Sequence, residues 1–294
     1  MAVFSIKDIE NFTGVKAHTL RIWEQRYNFI VPKRTETNIR YYDDEDLRKL
    51  LNIAILNRNG VKVSKIASMT EKEITAAVLE HSKTGEQTPD IIDGLTASML
   101  NMDEGMFEKI VSKAVIKAGF DNSILDVLFP FLTRIGVLWS AGSILVAHEH
   151  FMTNMIRQKI IAAIDAAIPK MQGNKKKFVL FLYEYEMHEL GLLYASYLLR
   201  LRGHEVIYLG QNFPTGNLEE VFKFYQPNYI VSSFTTSLDK SFMEDISHKI
   251  TGYLPEVEII FSGEQLKRKD LNFSKQVKVV KDIPEFLDLI DMIS

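Results

Sequence analysis

From Lys177 onward, short runs of β-branched, aromatic and leucine residues alternate with helical stretches, and this alternation restricts the possible folds more than any other feature. Phe178-Val179-Leu180-Phe181-Leu182, Val206-Ile207-Tyr208-Leu209, Tyr229-Ile230-Val231, Val257-Glu258-Ile259-Ile260-Phe261 and Val277-Lys278-Val279-Val280 read as strands. The intervening segments carry helical or loop-plus-helical patterns, such as Leu190 to Arg202, which stops at Gly203. Five strands joined by helices predict a doubly wound parallel α/β domain over residues 177–294. In such a sheet, ligands bind at the carboxyl ends of the strands.

The preceding part of the chain is built differently. Two polar stretches, Ser82 to Asp90 and Pro169 to Lys177, lack apolar periodicity and carry Gly and Pro, which marks boundaries near 83–90 and 169–177. Between them Pro130 is the only proline, and apolar residues recur at three- and four-residue spacing, as in Met152, Met155, Ile156, Ile160, Ala163 and Ile164. Residues 90–168 are therefore expected to form a four-helix bundle. The chain of 294 residues divides into segments 1–82, 90–168 and 177–294.

Composition narrows the function. With 46% hydrophobic and 25% charged residues the chain has the make-up of an ordinary globular protein. Its 35 basic and 38 acidic residues give a net charge of -3, so any nucleic-acid contact must be local rather than global. There is no cysteine, which removes disulfide scaffolds, zinc fingers, iron–sulfur clusters and cysteine nucleophiles together, and leaves His or carboxylate to hold any metal. Met1 to Asp8 lacks the basic-then-apolar pattern of a signal peptide, and there is no apolar run of membrane-spanning length, so a cytoplasmic protein with no membrane partner is expected.

A local basic surface lies near the start. Ser5 to Gly14 and Val15 to Tyr27 read as two short helices with a tight turn at Gly14, which is helix-turn-helix spacing. Residues 14–42 carry Lys16, Arg21, Arg26, Lys33, Arg34 and Arg40 against Glu24 and Glu36, a local excess suited to phosphates. Arg34 to Tyr42 can form a hairpin, and Asp43-Asp44-Glu45-Asp46 places acid at the positive end of the next helix. Here the chain resembles the MerR family of winged-helix bacterial transcription regulators, through Thr19-Leu20-Arg21-Ile22-Trp23-Glu24 and the wing Arg40-Tyr41-Tyr42. Asn38 stands where the family often has Gly, and Asn tolerates positive φ. The resemblance implies double-stranded operator DNA as a partner. It places Lys16, His18, Thr19, Arg21, Arg26 and Tyr27 of the second helix, with Arg40, Tyr41 and Tyr42 of the wing, on that DNA.

Directly after the first strand of the α/β segment comes Glu186-x-His188-x-x-Gly191, at the position where such sheets bind ligands. A histidine there can reach a metal while a carboxylate two residues earlier bonds its other ring nitrogen. Composition alone predicts about 0.05 such matches per chain. The motif resembles the base-off, His-on cobalamin-binding signature, carried on a Rossmann-like sheet of flavodoxin-like strand order. That resemblance makes His188 the lower axial ligand of cobalt, with Glu186 and Gly191 beside it. It also assigns hydroxyls after the third strand, here Ser233, Thr235 and Ser237, and glycine after the fourth, here Gly263, to the cofactor's nucleotide tail. The family usually has two glycines at that last place; this chain has one.

In the bundle, Trp139 is followed ten residues later by Glu149-His150, a spacing expected from composition about 0.004 times. The pattern resembles the helical cap of cobalamin-dependent MerR-type light receptors. There the indole packs beside an upper adenosyl group, and the carboxylate and imidazole bond the sugar and base. A histidine directly after the tryptophan can take the upper cobalt position in that group after photolysis; here Ser140 stands there.

In order, the three segments resemble MerR-type cobalamin-dependent photoreceptor repressors of carotenoid synthesis. The resemblance implies adenosylcobalamin, or another cobalamin form, as cofactor, a homo-oligomer (dimer or tetramer) gripping the operator in the dark, and release on illumination. Two other readings stand beside it: a light-independent sensor of cobalamin or another effector, and a corrinoid carrier of a methyltransferase system. The sequence holds no Ser-His-Asp set, phosphate loop or acid pair suited to catalysis, so no enzyme is expected.

Overall fold

Gly14, at φ 70, separates the first two helices, and the backbone there needs a residue without Cβ restraint. These helices are α1 (Ile6–Thr13) and α2 (Ala17–Tyr27) in the computed structural model, which describes residues 4–27, 30–35, 38–58, 60–74, 76–77, 88–140, 144–168, 175–236, 240–267 and 271–293. The Glu10 carboxylate accepts the Ala17 N–H at 3.0 Å and so caps α2 from the preceding helix. A two-stranded antiparallel pair follows, β1 (Lys33–Arg34) with β2 (Arg40–Tyr41). Asn38 lies in their connection at φ 65. Helix α3 (Asp44–Arg58) starts with a reciprocal cap, in which the Asp46 N–H donates to Asp43 Oδ1 at 3.0 Å and the Asp43 N–H donates to Asp46 Oδ2 at 3.1 Å. A short helix α4 (Val63–Ile66) follows.

The middle of the chain is helical. It comprises α5 (Thr88–Leu100), α6 (Glu104–Ala118), α7 (Phe120–Ser123), a π-helical stretch (Ile124–Leu128), α8 (Phe129–Ser140) and α9 (Val146–Asp165). Thr88 to Asp90, expected in a linker, already belong to α5. The π stretch ends two residues before Pro130, which has no amide to return to the carbonyl four residues back. Buried Asp93 on α5 and half-buried Arg134 on α8 form an ion pair at 2.5 Å. Helix α5 also packs on α3, so the first three helices share one compact unit with the helical segment. That unit runs from Met1 to Met155, and a second from Ile156 to Ser294. Residues 82–87 of the first polar stretch and residues 169–174 of the second lie outside the described residues.

The second unit carries the five expected strands: β3 (Lys177–Tyr183), β4 (Glu205–Phe213), β5 (Tyr229–Ser233), β6 (Glu258–Ser262) and β7 (Val277–Val279). They form one sheet of order β4-β3-β5-β6-β7 in which every pairing is parallel. Within this unit the order is 2-1-3-4-5, the flavodoxin-like order. Helix α10 (Leu190–Leu201) covers β3, β4 and β5 on one face. Arg202, just past its end, bonds Asp291 of α13 (Ile283–Ile293) at 2.6 Å. On the other face, Leu218 and Phe222 of α11 (Leu218–Tyr225) and Met243, Ile246 and Ile250 of α12 (Lys240–Tyr253) bury Val179, Phe181, Tyr183, Ile230, Phe234, Ile259 and Phe261. Strands covered on both faces read as unbroken apolar runs, which is why they are visible in the sequence. Order reverses between β3 and β5, so their carboxyl ends open a crevice. Among the described residues, no helix is long and apolar enough to cross a membrane.

Candidate functional site

The crevice at the ends of β3 and β5 holds the Glu186 motif. Past Tyr183 the chain turns through Tyr185, at φ 71, and folds the Glu186 side chain under the loop, where it is 0% exposed. Each of its oxygens meets three donors. Oε1 accepts from the His188 N–H at 3.0 Å, from His188 Nδ1 at 2.6 Å and from the Thr236 hydroxyl at 3.2 Å. Oε2 accepts from the Tyr183 hydroxyl at 3.0 Å and from the N–H groups of Thr235 and Thr236, both at 2.8 Å.

This arrangement fixes the protonation state. Burial alone raises the Glu186 carboxyl, but the bonds from His188, Thr236 and Thr235 outweigh it and hold the group far below the ordinary 4.5. Burial and the Glu186 charge push the Tyr183 hydroxyl well up, so it stays a donor. A carboxylate only accepts, so Nδ1 of His188 carries a proton, and in the neutral ring the lone pair then lies on Nε2. The His188 side chain is 63% exposed, which leaves the ring at the surface of the crevice while its inner nitrogen is anchored. A neutral imidazole oriented in this way is a metal-ready ligand.

Neighbouring residues hold the loop. Glu189, also buried, accepts from Arg157 Nε at 2.5 Å and from the Tyr208 hydroxyl at 2.7 Å. Burial, then the bond and charge of Glu189, push the Tyr208 hydroxyl up. At the end of β4, Asn212 Oδ1 accepts the Tyr185 N–H at 2.9 Å. Tyr183, Asn212, Thr236, Glu189, Arg157 and Tyr208 were not signalled by the motif, because chain folding rather than local spacing brings most of them to it.

Of the other expected cofactor residues, Gly191 lies in the first turn of α10, and a Cβ built there meets nothing within 4 Å. Open space over that position suits a bulky ligand. Ser233 ends β5 half-buried, and Thr235 contributes its N–H to Glu186. Ser237 lies outside the described residues. Gly263 has a structural duty that the sequence reading did not give it: at φ 114, an added Cβ would stand 2.3 Å from the Phe234 carbonyl oxygen. It lets the loop after β6 press against the loop after β5, where the Phe234 N–H donates to the Ser262 carbonyl at 2.8 Å.

In the first unit, Trp139 on α8 is 54% exposed and so is not a core residue. Ser140 closes the same helix, though its side chain is outside the description. On α9, Glu149 accepts from the Thr153 hydroxyl at 2.7 Å, and its other oxygen lies 3.7 Å from His150 Nε2, with the His150 side chain 68% exposed. Among the described residues, no group of three or more His, Asp or Glu could hold a metal ion.

The basic surface of α2 presents Lys16, His18, Arg21 and Arg26 to solvent, with Thr19 and Tyr27 half-buried beside them. Lys16 bonds Glu10 at 2.9 Å, His18 Nε2 lies 3.2 Å from the Thr19 hydroxyl, and the Arg26 guanidinium lies over the Tyr27 ring. Arg40 and Tyr41 on β2 are half-buried, with Arg40 Nε 3.6 Å from Glu24. Tyr42 departs from the expectation. It is 1% exposed, pairs through its backbone with Phe4, and donates its hydroxyl to Glu24. Successive strand residues face opposite ways, so one of two adjacent tyrosines had to turn inward. Tyr42 is a core residue and not a phosphate contact.

Three stretches of the chain match known families. Residues 4–73 match the MerR HTH family regulatory protein, and residues 91–163 and 176–275 each match a B12 binding domain. The HTH-type transcriptional repressor CarH of Myxococcus xanthus is 26% identical over 258 residues, covering 86% of this chain and 85% of the relative. CarA, a second HTH-type transcriptional repressor of that organism, is 26% identical over 231 residues, covering 78% of this chain and 75% of the relative. Both are transcriptional regulators rather than enzymes. The structure of the Methanosarcina barkeri monomethylamine corrinoid protein superposes with a TM-score of 0.57 at 14% identity, covering 71% of this chain and all of that one; this likeness concerns the fold. Segment by segment, the chain thus carries a stretch similar to MerR HTH regulatory proteins followed by two stretches similar to B12 binding domains.

Proposed function

We propose that this protein is a cobalamin-dependent repressor of the cytoplasm, which binds operator DNA through a winged helix-turn-helix as an adenosylcobalamin-loaded dimer or tetramer and lets go in the light. The observation that carries the cofactor assignment is the pairing of buried, ionised Glu186 with Nδ1 of His188, which orients the ring and sets which nitrogen of the neutral imidazole would meet a metal. A lone histidine holds a metal firmly only when the remaining ligands arrive with it, as the four nitrogens of a corrin do. The absence of a chelating cluster among the described residues and the open space over Gly191 fit that demand.

In this reading His188 is the lower axial ligand, and Glu186 sets its tautomer. Gly191, Ser233, Thr235, Ser237 and Gly263 line or shape the pocket of the nucleotide tail. Trp139, Glu149 and His150, from what is read as a four-helix bundle, receive the upper ligand; the exposed indole offers a flat apolar wall. When bound, the adenosyl form supplies a light-sensitive cobalt–carbon bond. The chain's own part is to bind that form differently from its photoproduct, because a ligand shifts an assembly only through such a difference. Lys16, His18, Thr19, Arg21, Arg26, Tyr27, Arg40 and Tyr41 face DNA. One such small module binds weakly, and coupling several in one oligomer multiplies affinity, so dissociation is an effective switch.

Ser140 favours a second reading, a light-independent cobalamin sensor, because the bis-histidine photoproduct of the resembled group lacks its histidine at that position. Size-exclusion chromatography with an absorbance spectrum separates the two. Protein mixed with adenosylcobalamin in the dark should carry its spectrum and should fall in mass after green light. Binding without a change of mass selects the light-independent sensor, and no binding refutes both.

A further inference from the structure

Glu186 fixes His188 through its side chain, but something must fix the main chain of Glu186 itself. Thr235 and Thr236 grip only its carboxylate. Within the turn the Glu186 N–H donates to the Tyr183 carbonyl at 3.1 Å, and a second backbone grip comes from the other side of β3, where the edge strand β4 fits nine residues alongside the seven of β3. Register shifts between Leu180 and Phe181 and between Phe181 and Tyr183, with Gly210 at φ 85, re-aim β4 so that Phe213 stands opposite Tyr183. Asn212 therefore reaches the turn. Its Oδ1 accepts the Tyr185 N–H at 2.9 Å, and its own N–H donates to the Glu186 carbonyl at 3.1 Å.

We infer that Asn212 is a positioning residue for His188, an inference that rests on the reading of His188 as the axial ligand. The two bonds hold the Glu184–Tyr185 and Glu186–Met187 peptides, one on each side of the Tyr185–Glu186 linkage. Tyr185 sits at φ 71, a conformation that a tyrosine keeps only when its surroundings hold it. Asn212 is itself at φ 52, where asparagine is one of the few residues with a Cβ that is at ease. Residue type and backbone thus agree: the position asks for a left-handed conformation and a short acceptor together. Glycine would meet the first demand only, and aspartate meets both.

The test uses full-length protein labelled with 15N-histidine and loaded with cob(II)alamin, read by electron paramagnetic resonance. A 15N axial ligand splits the cobalt lines into doublets, whereas the 14N of the vitamin's own base gives triplets. The doublet is expected in the wild type and in Asn212→Asp. In Asn212→Gly the share of doublet should fall, in line with an affinity for the His-on form weakened about tenfold. Melting temperature is measured alongside, and a structural role alone would move it without moving the doublet. His188→Ala serves as the reference. If it abolishes the doublet while Asn212→Gly keeps the full signal, the role of Asn212 is overturned and the ligand stands. If His188→Ala retains the doublet, the ligand reading falls and Asn212 with it.

Discussion

Glu186→Gln tests the site at its centre, because the replacement keeps shape and removes only charge and one acceptor. Every group around the carboxylate is a donor, so the new NH2 must face donors whichever way the amide turns. Placed at Oε2, it opposes the N–H groups of both Thr235 and Thr236, which cannot rotate away. Placed at Oε1, it opposes a single backbone donor, that of His188, while the Thr236 hydroxyl can turn to accept. The second arrangement costs less. It leaves one buried N–H unbonded, about 1–3 kcal/mol, and weakens the three bonds at the other oxygen by about 1 kcal/mol each as charge assistance is lost. A total loss of about 4–6 kcal/mol in apo-protein stability is expected by urea unfolding at neutral pH. The same arrangement has a chemical signature. With NH2 opposite Nδ1, the imidazole bonds only by moving its proton to Nε2, the nitrogen that is to meet the metal. Nitrogen NMR of labelled histidine should therefore show the opposite tautomer at His188, and cobalamin should bind without protein ligation. The sign of the pH effect follows from the depressed Glu186 value. Its stabilising contribution is fully present above the unfolded value of 4.5 and is lost as pH falls toward the folded one, so the variant should lack that part of acid destabilisation. A stability change under about 1 kcal/mol together with an unchanged tautomer would refute the reasoning.

Gly263→Ala should destabilise the α/β unit by about 2–5 kcal/mol, adding a positive-φ penalty to the overlap with Phe234; denaturant midpoints check this, and a neutral result would mean that the two loops separate freely. Trp139→Ala should leave apo stability within about 0.5 kcal/mol, as expected of an exposed side chain. The same variant should weaken adenosylcobalamin binding about tenfold in an equilibrium titration, and equal affinity would remove the indole from the upper-ligand contacts.

The parallel sheet was legible because burial on both faces leaves unbroken apolar runs at the centres of β3, β5 and β6, and their ends fall within two residues of the runs read from sequence. Strand β4 was less so. Its pattern stops at Leu209, whereas the strand continues through Gly210, Gln211 and Asn212 to Phe213, since an edge strand with an irregular register need not look like one. Glu186 and His188 lie two residues apart and were readable together; Thr236 and Asn212 reach them from distant chain and carry no local mark. Tyr41 and Tyr42 illustrate a different limit. Two adjacent tyrosines on a strand are equivalent in composition, and only packing against Phe4 and Glu24 decides which one is buried.

The bonds from Thr235 and Thr236 to Glu186 join segments 49 and 50 residues apart, with a whole helix, edge strand and second helix between them. As the chain is synthesised, His188 emerges long before the donors that settle its carboxylate partner, and the intervening edge strand forms on the opposite flank. Strand β5 must be inserted beside β3 before the carboxylate has all its donors. The imidazole thus acquires its working geometry late, when the central strands have closed, and a nascent or truncated chain holds the ligand residue without the ligand. If His188 is the axial ligand proposed above, loading of the cofactor reports on completed folding, and half-made copies stay out of the pool that competes for it.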